Sequence, residues 1–411
     1  MPLNRPDPIP TERAAQPRTT QPGCDPPDDL HRDRSELPAR QGRVRVVKRS
    51  IVIIINALHS GGTERTCIEI ARHFLKRYQI TVVALTIGGP AEQELRRMGA
   101  RVEVLQASTP LTATLALIRL VRVLREHRPE AILTFLYFSD LVGSLTAKVF
   151  ARRSRVYWNV RNNVLAKEQT GFSYYAAKVC AWASRFLPHE VVYCSAVSLA
   201  QHEAIGFRPH RSAVVENCAE AVPFSFSQES RDEFRRGRFD GEFVFLFVGR
   251  FDAVKRVDLY IEACARAYRS FGGALRFVIA GRGMDPNNSQ LLEMITATGC
   301  ADRFELLGFV EDRQRLYSAA DCLILTSETE GSPNVVYEAI ATQLPVIILG
   351  TIGTECIAAE SVYRIESRDL DLLASTMGSR ARSPVRDAGS RTSMRSRLAV
   401  HPLAAYYRKL L

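Results

Sequence analysis

From residue 43 onward, short apolar runs alternate with longer stretches in which apolar residues return every three or four positions. The runs at 51–55, 80–85, 102–105, 131–135, 156–160 and 191–194 have strand length and little polar alternation, the pattern of strands covered on both faces. Between the first two, Cys67, Ile70, Ala71 and Phe74 recur at helical spacing, with Thr63 placed to cap the helix. Helices are also predicted over 115–127, 141–150 and 174–186. A second series starts near 242. Strand 243–248 leads to helix 257–271, whose stripe is Val257, Ile261, Cys264 and Tyr268. Strand 275–280, helix 290–298, strand 304–307, helix 313–320 and strands 322–326 and 346–349 follow. The pattern predicts two consecutive doubly wound α/β domains joined near 217–226, with no short repeat. Ligands of such sheets bind outside the carboxyl ends of the strands, so the informative loops follow residues 55, 135, 160, 248, 280, 307 and 326.

The stretch 327–340 joins one of these strands to a helix. Ser332 is a suitable N-cap, and Pro333 suits the first helical position, where its missing N–H costs nothing. A helix terminus of this kind offers unpaired N–H groups and partial positive charge to phosphate oxygens. Asn334 and Glu338 share one helix face, while Val335, Val336, Ala339 and Ile340 can turn toward the sheet. A carboxylate one turn behind a phosphate cradle is placed to accept from ribose hydroxyls. The site reading is a nucleotide diphosphate; an ordinary capped helix with exposed acids is the plain alternative.

Glu330 and Glu338, with Gly331 and Pro333 between them, resemble the E-x7-E motif of retaining glycosyltransferases of family 4. That resemblance implies the GT-B fold, two Rossmann-like α/β domains facing across a cleft. It sets an acceptor-side domain at 46–220, a nucleotide-sugar domain at 221–395, and a helix at 396–411 that packs back on the first domain. Gly249, Arg250 and Lys255 match the family's G-R-x-x-x-x-K element, whose cations neutralise the leaving diphosphate; two solvated surface cations are the alternative. Gly281 and Arg282 lie in a stretch like the family's G-x-G turn. Phe309 and Val310 lie in one like its L-G-x-V segment beside the base. Gly61 and Gly62 resemble the glycine-rich first loop, though without dinucleotide-fingerprint spacing. Ser139 and Asp140, with Arg161 and Asn162, fall on loops that would face the acceptor. By the same resemblance Arg250, Lys255 and Glu330 are the catalytic residues, and Gly331, Ser332, Pro333, Asn334 and Glu338 hold the donor.

The sequence departs from the family pattern at three places. The interdomain Asn-Gly-x-Asp reads Asn217-Cys218-Ala219-Glu220, Gln343 replaces a glycine two before Pro345, and the sugar-side loop reads Gly350-Thr351-Ile352-Gly353-Thr354-Glu355. No histidine stands in the loop before Ser139.

Composition narrows the surroundings. The first 45 residues hold nine of the twenty prolines and no Phe, Tyr or Trp, so they are expected to be a disordered tail. Residues 379–396 are basic and serine-rich, the composition of a mobile loop. Nine cysteines include no Cys-x-x-Cys pair, which fits a reducing compartment and argues against structural zinc. No apolar run reaches the length of a membrane span, and the opening residues lack a secretory core, so a cytoplasmic protein is expected. The net charge of +11 suits phosphorylated substrates or anionic lipid. Helices around Leu117, Leu120, Val121 and Leu124, and around Leu145 and Val149, are flanked by arginines, which adds peripheral attachment at the inner face of the plasma membrane. No aromatic-basic motif points to nucleic acid.

The expectation is therefore a hexosyl- or N-acetylhexosaminyl-type transferase. It would take a UDP- or GDP-sugar and a glycan or lipid-linked acceptor, with no cofactor and no metal. A nucleotide-sugar epimerase of the same fold, and a non-catalytic nucleotide-binding or membrane scaffold, are the alternatives.

Overall fold

The computed structural model describes residues 49–59, 61–163, 171–217, 222, 224–350, 362–383 and 402–411. The expectations for the tail at 1–45, for 218–220, for the loop from 351 to 355 and for 384–396 lie outside these residues.

The first sheet is seven-stranded and parallel. Its strands are β1 (Ser50–Ile55), β2 (Gln79–Ala84), β3 (Arg101–Val104), β4 (Ala131–Phe135), β5 (Arg155–Val160), β6 (Glu190–Tyr193) and β7 (Ser212–Val214). Their order across the sheet is β3-β2-β1-β4-β5-β6-β7. The second sheet is six-stranded, with β8 (Phe243–Val248), β9 (Leu275–Ala280), β10 (Phe304–Gly308), β11 (Cys322–Leu325), β12 (Val346–Leu349) and β13 (Val362–Ile365) in the order β10-β9-β8-β11-β12-β13. Every pairing is parallel. Residues 51–55 pair with β2 on one side and β4 on the other, and all of β1 is buried. Its isoleucine run has no polar alternation because helices cover both faces.

Those helices are α1 (Gly62–Phe74), α2 (Pro90–Arg97), α3 (Pro110–His127), α4 (Tyr137–Phe150), α5 (Phe172–Ala183) and α6 (Ala196–Ala204) around the first sheet. Around the second lie α7 (Gln228–Arg235), α8 (Val257–Phe271), α9 (Ser289–Thr296), α10 (Arg313–Ala319), α11 (Asn334–Ala341) and α12 (Leu370–Arg382). The fold is the expected two-sheet, Rossmann-like α/β architecture. Strand order reverses between β1 and β4 and between β8 and β11. The two crevices of the molecule therefore open where the loops after those strands diverge.

One further helix, α13 (Pro402–Leu410), belongs to the first sheet's core. Leu403, Ala404 and Tyr407 are buried there, and the Tyr407 hydroxyl donates to Asn159 Oδ1 at 2.7 Å. Arg155 donates to the Leu410 carbonyl at 3.1 Å.

Elements without apolar periodicity escaped the pattern reading. Helix α7 buries only Arg231, which meets Asp321 at 2.6 Å and three carbonyls of residues 318–320, while Arg235 meets the same carboxylate at 3.0 Å. Charge holds that helix. Helix α4 starts at Tyr137, four residues ahead of the expected 141, so residues 137–140 are its first turn and not a loop.

Candidate active site

The loop after β8 and the loop after β11 are stitched together by backbone. Glu328 N–H donates to the Val254 carbonyl at 2.7 Å, and Thr326 Oγ1 donates to the Arg256 carbonyl at 2.8 Å. Asp252 caps the short turn Ala253–Lys255 by accepting from Val254 N–H at 2.9 Å. This scaffold sets Lys255 Nζ 2.6 Å from Glu330 Oε1, and Ser327 Oγ donates to the same oxygen at 2.6 Å. Arg250 binds Asp252 at 2.8 Å and is 65% exposed. Burial acts to raise the Asp252 carboxyl, yet the Arg250 hydrogen bond, the Val254 N–H and the charges of Arg250 and Lys255 outweigh it and hold the carboxyl below the ordinary range. Arg256, which sequence reasoning passed over, pairs with Asp258 at 2.9 Å and Glu328 at 3.2 Å.

Two glycines make this packing feasible. Gly281 has φ +141°, and a Cβ there would overlap the Gly249 carbonyl oxygen, so the loop after β9 lies directly on the loop after β8. Its neighbour Arg282 accepts Phe251 N–H through its carbonyl at 2.8 Å. Gly331 faces the first sheet: a Cβ would come within 2.8 Å of Cys194 Sγ and 3.3 Å of the Arg161 carbonyl. Phe309 is exposed after β10, and Val310 packs half-buried against the second core.

The helix terminus differs from expectation by one residue. Pro333 is the N-cap of α11, with no side-chain cap bond, and Asn334 begins the helix. Ser332 is not the cap; it accepts from Asn217 N–H and contacts the Tyr337 hydroxyl, each at 3.4 Å. Proline at that position, extended at ψ 101°, ends the loop without donating anything of its own.

Glu338 is on the expected helix face but only 2% exposed. Arg313 of α10 reaches its Oε1 at 2.6 Å, and the Tyr317 hydroxyl donates to its Oε2 at 2.8 Å. Burial raises its carboxyl above the ordinary range, and Arg313 and Tyr317 oppose that rise. A ribose hydroxyl would have to share an oxygen with one of these donors.

From the first sheet come Gly61, the N-cap of α1, and Gly62. A Cβ on Gly62 would approach Asn334 Nδ2 to 2.8 Å. Asn334 Oδ1 accepts from Asn217 Nδ2 at 2.7 Å, and Arg161 in turn binds Asn217 Oδ1 and the Val215 carbonyl. Asn163 donates to Thr329 Oγ1 at 2.5 Å and to the Glu330 carbonyl at 2.8 Å. Its neighbour Asn162 donates to the Tyr137 hydroxyl at 3.1 Å. The Arg161–Asn163 segment therefore ties the Glu330 loop to the first sheet. Glu64, half-buried, has its carboxyl raised by desolvation against the pull of its own backbone N–H, His59 and Arg282.

Ser139 and Asp140 are corrected. Both are fully buried in the first turn of α4, Ser139 donating to Asn56 Oδ1 at 2.6 Å and Asp140 accepting from Thr134 at 2.5 Å. Neither can meet an acceptor, because the helix starts early and points them into the core. Burial pushes the Asp140 carboxyl well above the usual range, and its Oδ2 has no partner. Among the residues that sequence reasoning did not place here, Asn217 stood in a quoted motif and Asn163 directly follows Asn162. Arg313 and Tyr317 carried no signal, because only the α10–α11 packing brings them to Glu338. Among the described residues, no cluster of His, Cys, Asp and Glu is placed to hold a metal ion.

Residues 242–379 match the family model described as glycosyl transferases group 1, and residues 60–221 match glycosyltransferase family 4. An alpha-1,4-N-acetyl-D-galactosaminyltransferase of Campylobacter jejuni, acting on an undecaprenol-diphosphate-linked glycan, is 23% identical over 302 residues, 71% of this chain and 76% of the relative. Alpha-D-kanosaminyltransferase of Streptomyces kanamyceticus is 28% identical over 41% of this chain and 45% of its own length. Among solved structures, Anabaena HepE in complex with UDP and glucose superposes with a TM-score of 0.71 at 20% identity, over 84% of this chain and 92% of that one. Sucrose-phosphate synthase of Thermosynechococcus elongatus reaches 0.69 at 17% identity, over 88% and 99%.

Proposed function

The chain belongs to the glycosyltransferases of family 4, and from that premise we propose that it moves a sugar from a nucleotide-diphosphate sugar to a glycan or lipid-linked acceptor with retention of configuration. The observation that carries this reading is the Lys255–Glu330 pair at the second sheet's switch point, one loop from the uncapped start of α11. Lys255 and Arg250, with the N–H groups after Ser332, would stabilise charge on the departing diphosphate. Fixed donors in a partly desolvated site are often the largest catalytic term. Glu330 would lie against the donor sugar and support the positive charge that develops as the leaving group departs. Phe309 would offer its exposed ring to the base, and Gly62 lies close enough to the Asn334 side chain that a Cβ there would crowd it.

Glu338 then has two tasks. It anchors α11 through Arg313 and Tyr317, and it offers a shared oxygen to the ribose. Uridine is the first choice of base, since HepE was solved with UDP; the sugar is a hexose or N-acetylhexosamine. A lipid-linked acceptor would bring the enzyme to the inner face of the plasma membrane.

A thermal-shift screen of UDP, GDP, ADP and their sugars tests the donor half, because a ligand of the folded state raises the melting temperature. UDP and a UDP-sugar are expected to stabilise, and a flat response to every nucleotide would overturn the assignment. Conversion of the donor in the absence of any acceptor would point instead to an epimerase.

A further inference from the structure

Thirteen of the eighteen large apolar side chains exposed among the described residues fall on α3, α4, α5 and the turn after α5. These helices are neighbours: α3 packs on α4, and α4 on α5. The arrangement within α5 is inverted. Its inward face is Ala177, Cys180, Ala181 and Ala183, while Phe172, Tyr175, Val179 and Trp182 recur outward at intervals of three and four, with Phe186 continuing the line. Phe172 is 76% exposed and Trp182 67%. Helix α4 adds Phe138, Leu145 and Val149 outward, and α3 adds Leu111, Leu115 and Ile118. An apolar surface of this extent on one side of a folded chain marks an interaction site.

The charges around it choose the partner. Arg119, Arg122 and Arg125 are exposed on α3, Lys148, Arg152 and Arg153 at the end of α4, and Lys178 and Arg185 along α5. The only exposed acid on these three helices and the turns that end them is Glu126. The Arg125 guanidinium lies 4.9 Å over the Phe150 ring, and Lys148 Nζ meets the Phe186 carbonyl at 3.5 Å, so cations join the three apolar stripes at their edges. A second copy placed on this face through a two-fold axis would set cations against cations. An anionic bilayer meets both halves of the surface, with aromatic rings entering the headgroup region and arginines reaching phosphates.

We propose that the face built by α3, α4 and α5 seats this protein on an anionic membrane, with Phe172 and Trp182 as the inserted side chains. Among the described residues no helix is long and apolar enough to cross a membrane, so the contact is interfacial. This proposal stands on the surface alone and does not depend on the sugar-transfer reading.

The chain has a built-in reporter, because its other tryptophan, Trp158, is fully buried. The full chain would be mixed with vesicles of phosphatidylcholine, with or without phosphatidylglycerol, and followed by sedimentation, by tryptophan emission and by acrylamide quenching. Expected with anionic vesicles alone are co-sedimentation, a blue shift, and loss of quenching. Phe172→Ser/Trp182→Ser and Arg119→Glu/Arg122→Glu should each weaken partitioning about tenfold or more at unchanged melting temperature. Trp182→Phe should keep binding and lose the spectral change. No partitioning onto anionic vesicles would overturn the proposal. So would a concentration-dependent dimer that protects Trp182, or a Trp182 already shielded from acrylamide in the free chain.

Discussion

The Lys255 ammonium and the Glu330 carboxylate stand 2.6 Å apart, each on a different loop and both largely shielded from water. The contact is made possible by Thr326 and Glu328, which bind the backbone of the Lys255 loop. An incoming diphosphate would share this lysine with Glu330, so the pair sets both the charge and the position of the cation. Replacing Lys255 by alanine is expected to cut turnover at least tenfold, about 1.4 kcal/mol of transition-state stabilisation. Steady-state kinetics on a variant with native circular dichroism check this, and near-normal turnover would remove Lys255 from the site.

Asn163 is a cross-lobe hydrogen-bond donor, to Thr329 and to the Glu330 carbonyl. Asn163→Ala should lower turnover about tenfold while moving the melting temperature little, since two neutral hydrogen bonds contribute about 1 kcal/mol each. Asn163→Asp should be worse, because a carboxylate would face the Glu330 carbonyl with nothing to donate. Equal activity in the aspartate variant would show the tie to be dispensable.

Around Glu338 the question is stability. Arg313→Ala leaves a buried carboxylate with Tyr317 as its one donor; allowing for the partial exposure of Arg313, the cost is about 2 kcal/mol. Glu338→Gln removes the charge as well and should cost less. Urea unfolding of the two variants gives the order, and a milder arginine variant would contradict it.

Asp140 ties stability to pH. Its carboxyl is raised by burial, so the folded state holds a proton that the unfolded chain releases once pH passes the ordinary aspartate range. The sign follows: stability falls as pH rises from that range toward the raised value. Asp140→Asn should flatten this slope, read as urea midpoints between about pH 5 and about pH 8. An unchanged slope would show that other groups carry it.

Strands such as β1 and β8 were readable because they are buried on both faces and apolar throughout. Helix α7 was not, because its attachment is Arg231 and Arg235 gripping Asp321, which leaves no periodic stripe. The same limit acts at the site. Glu330, Lys255 and Gly281 stand in motifs whose spacing reflects one strand-to-loop unit each. What Glu338 touches depends on how α10 lies against α11, and no interval within either helix encodes that. Ser139 and Asp140 were misplaced by a helix that starts four residues early, after Leu136 takes a positive φ of 72°.

Helix α13 has a consequence for how the chain is made. Leu403, Ala404 and Tyr407 fill the core of a sheet whose strands all lie before residue 215. A ribosome delivers those strands first, and residues 402–410 join one face of their core afterwards. The first sheet is therefore completed after the strands of the second have emerged, and until then part of its apolar core is available to chaperones and to aggregation.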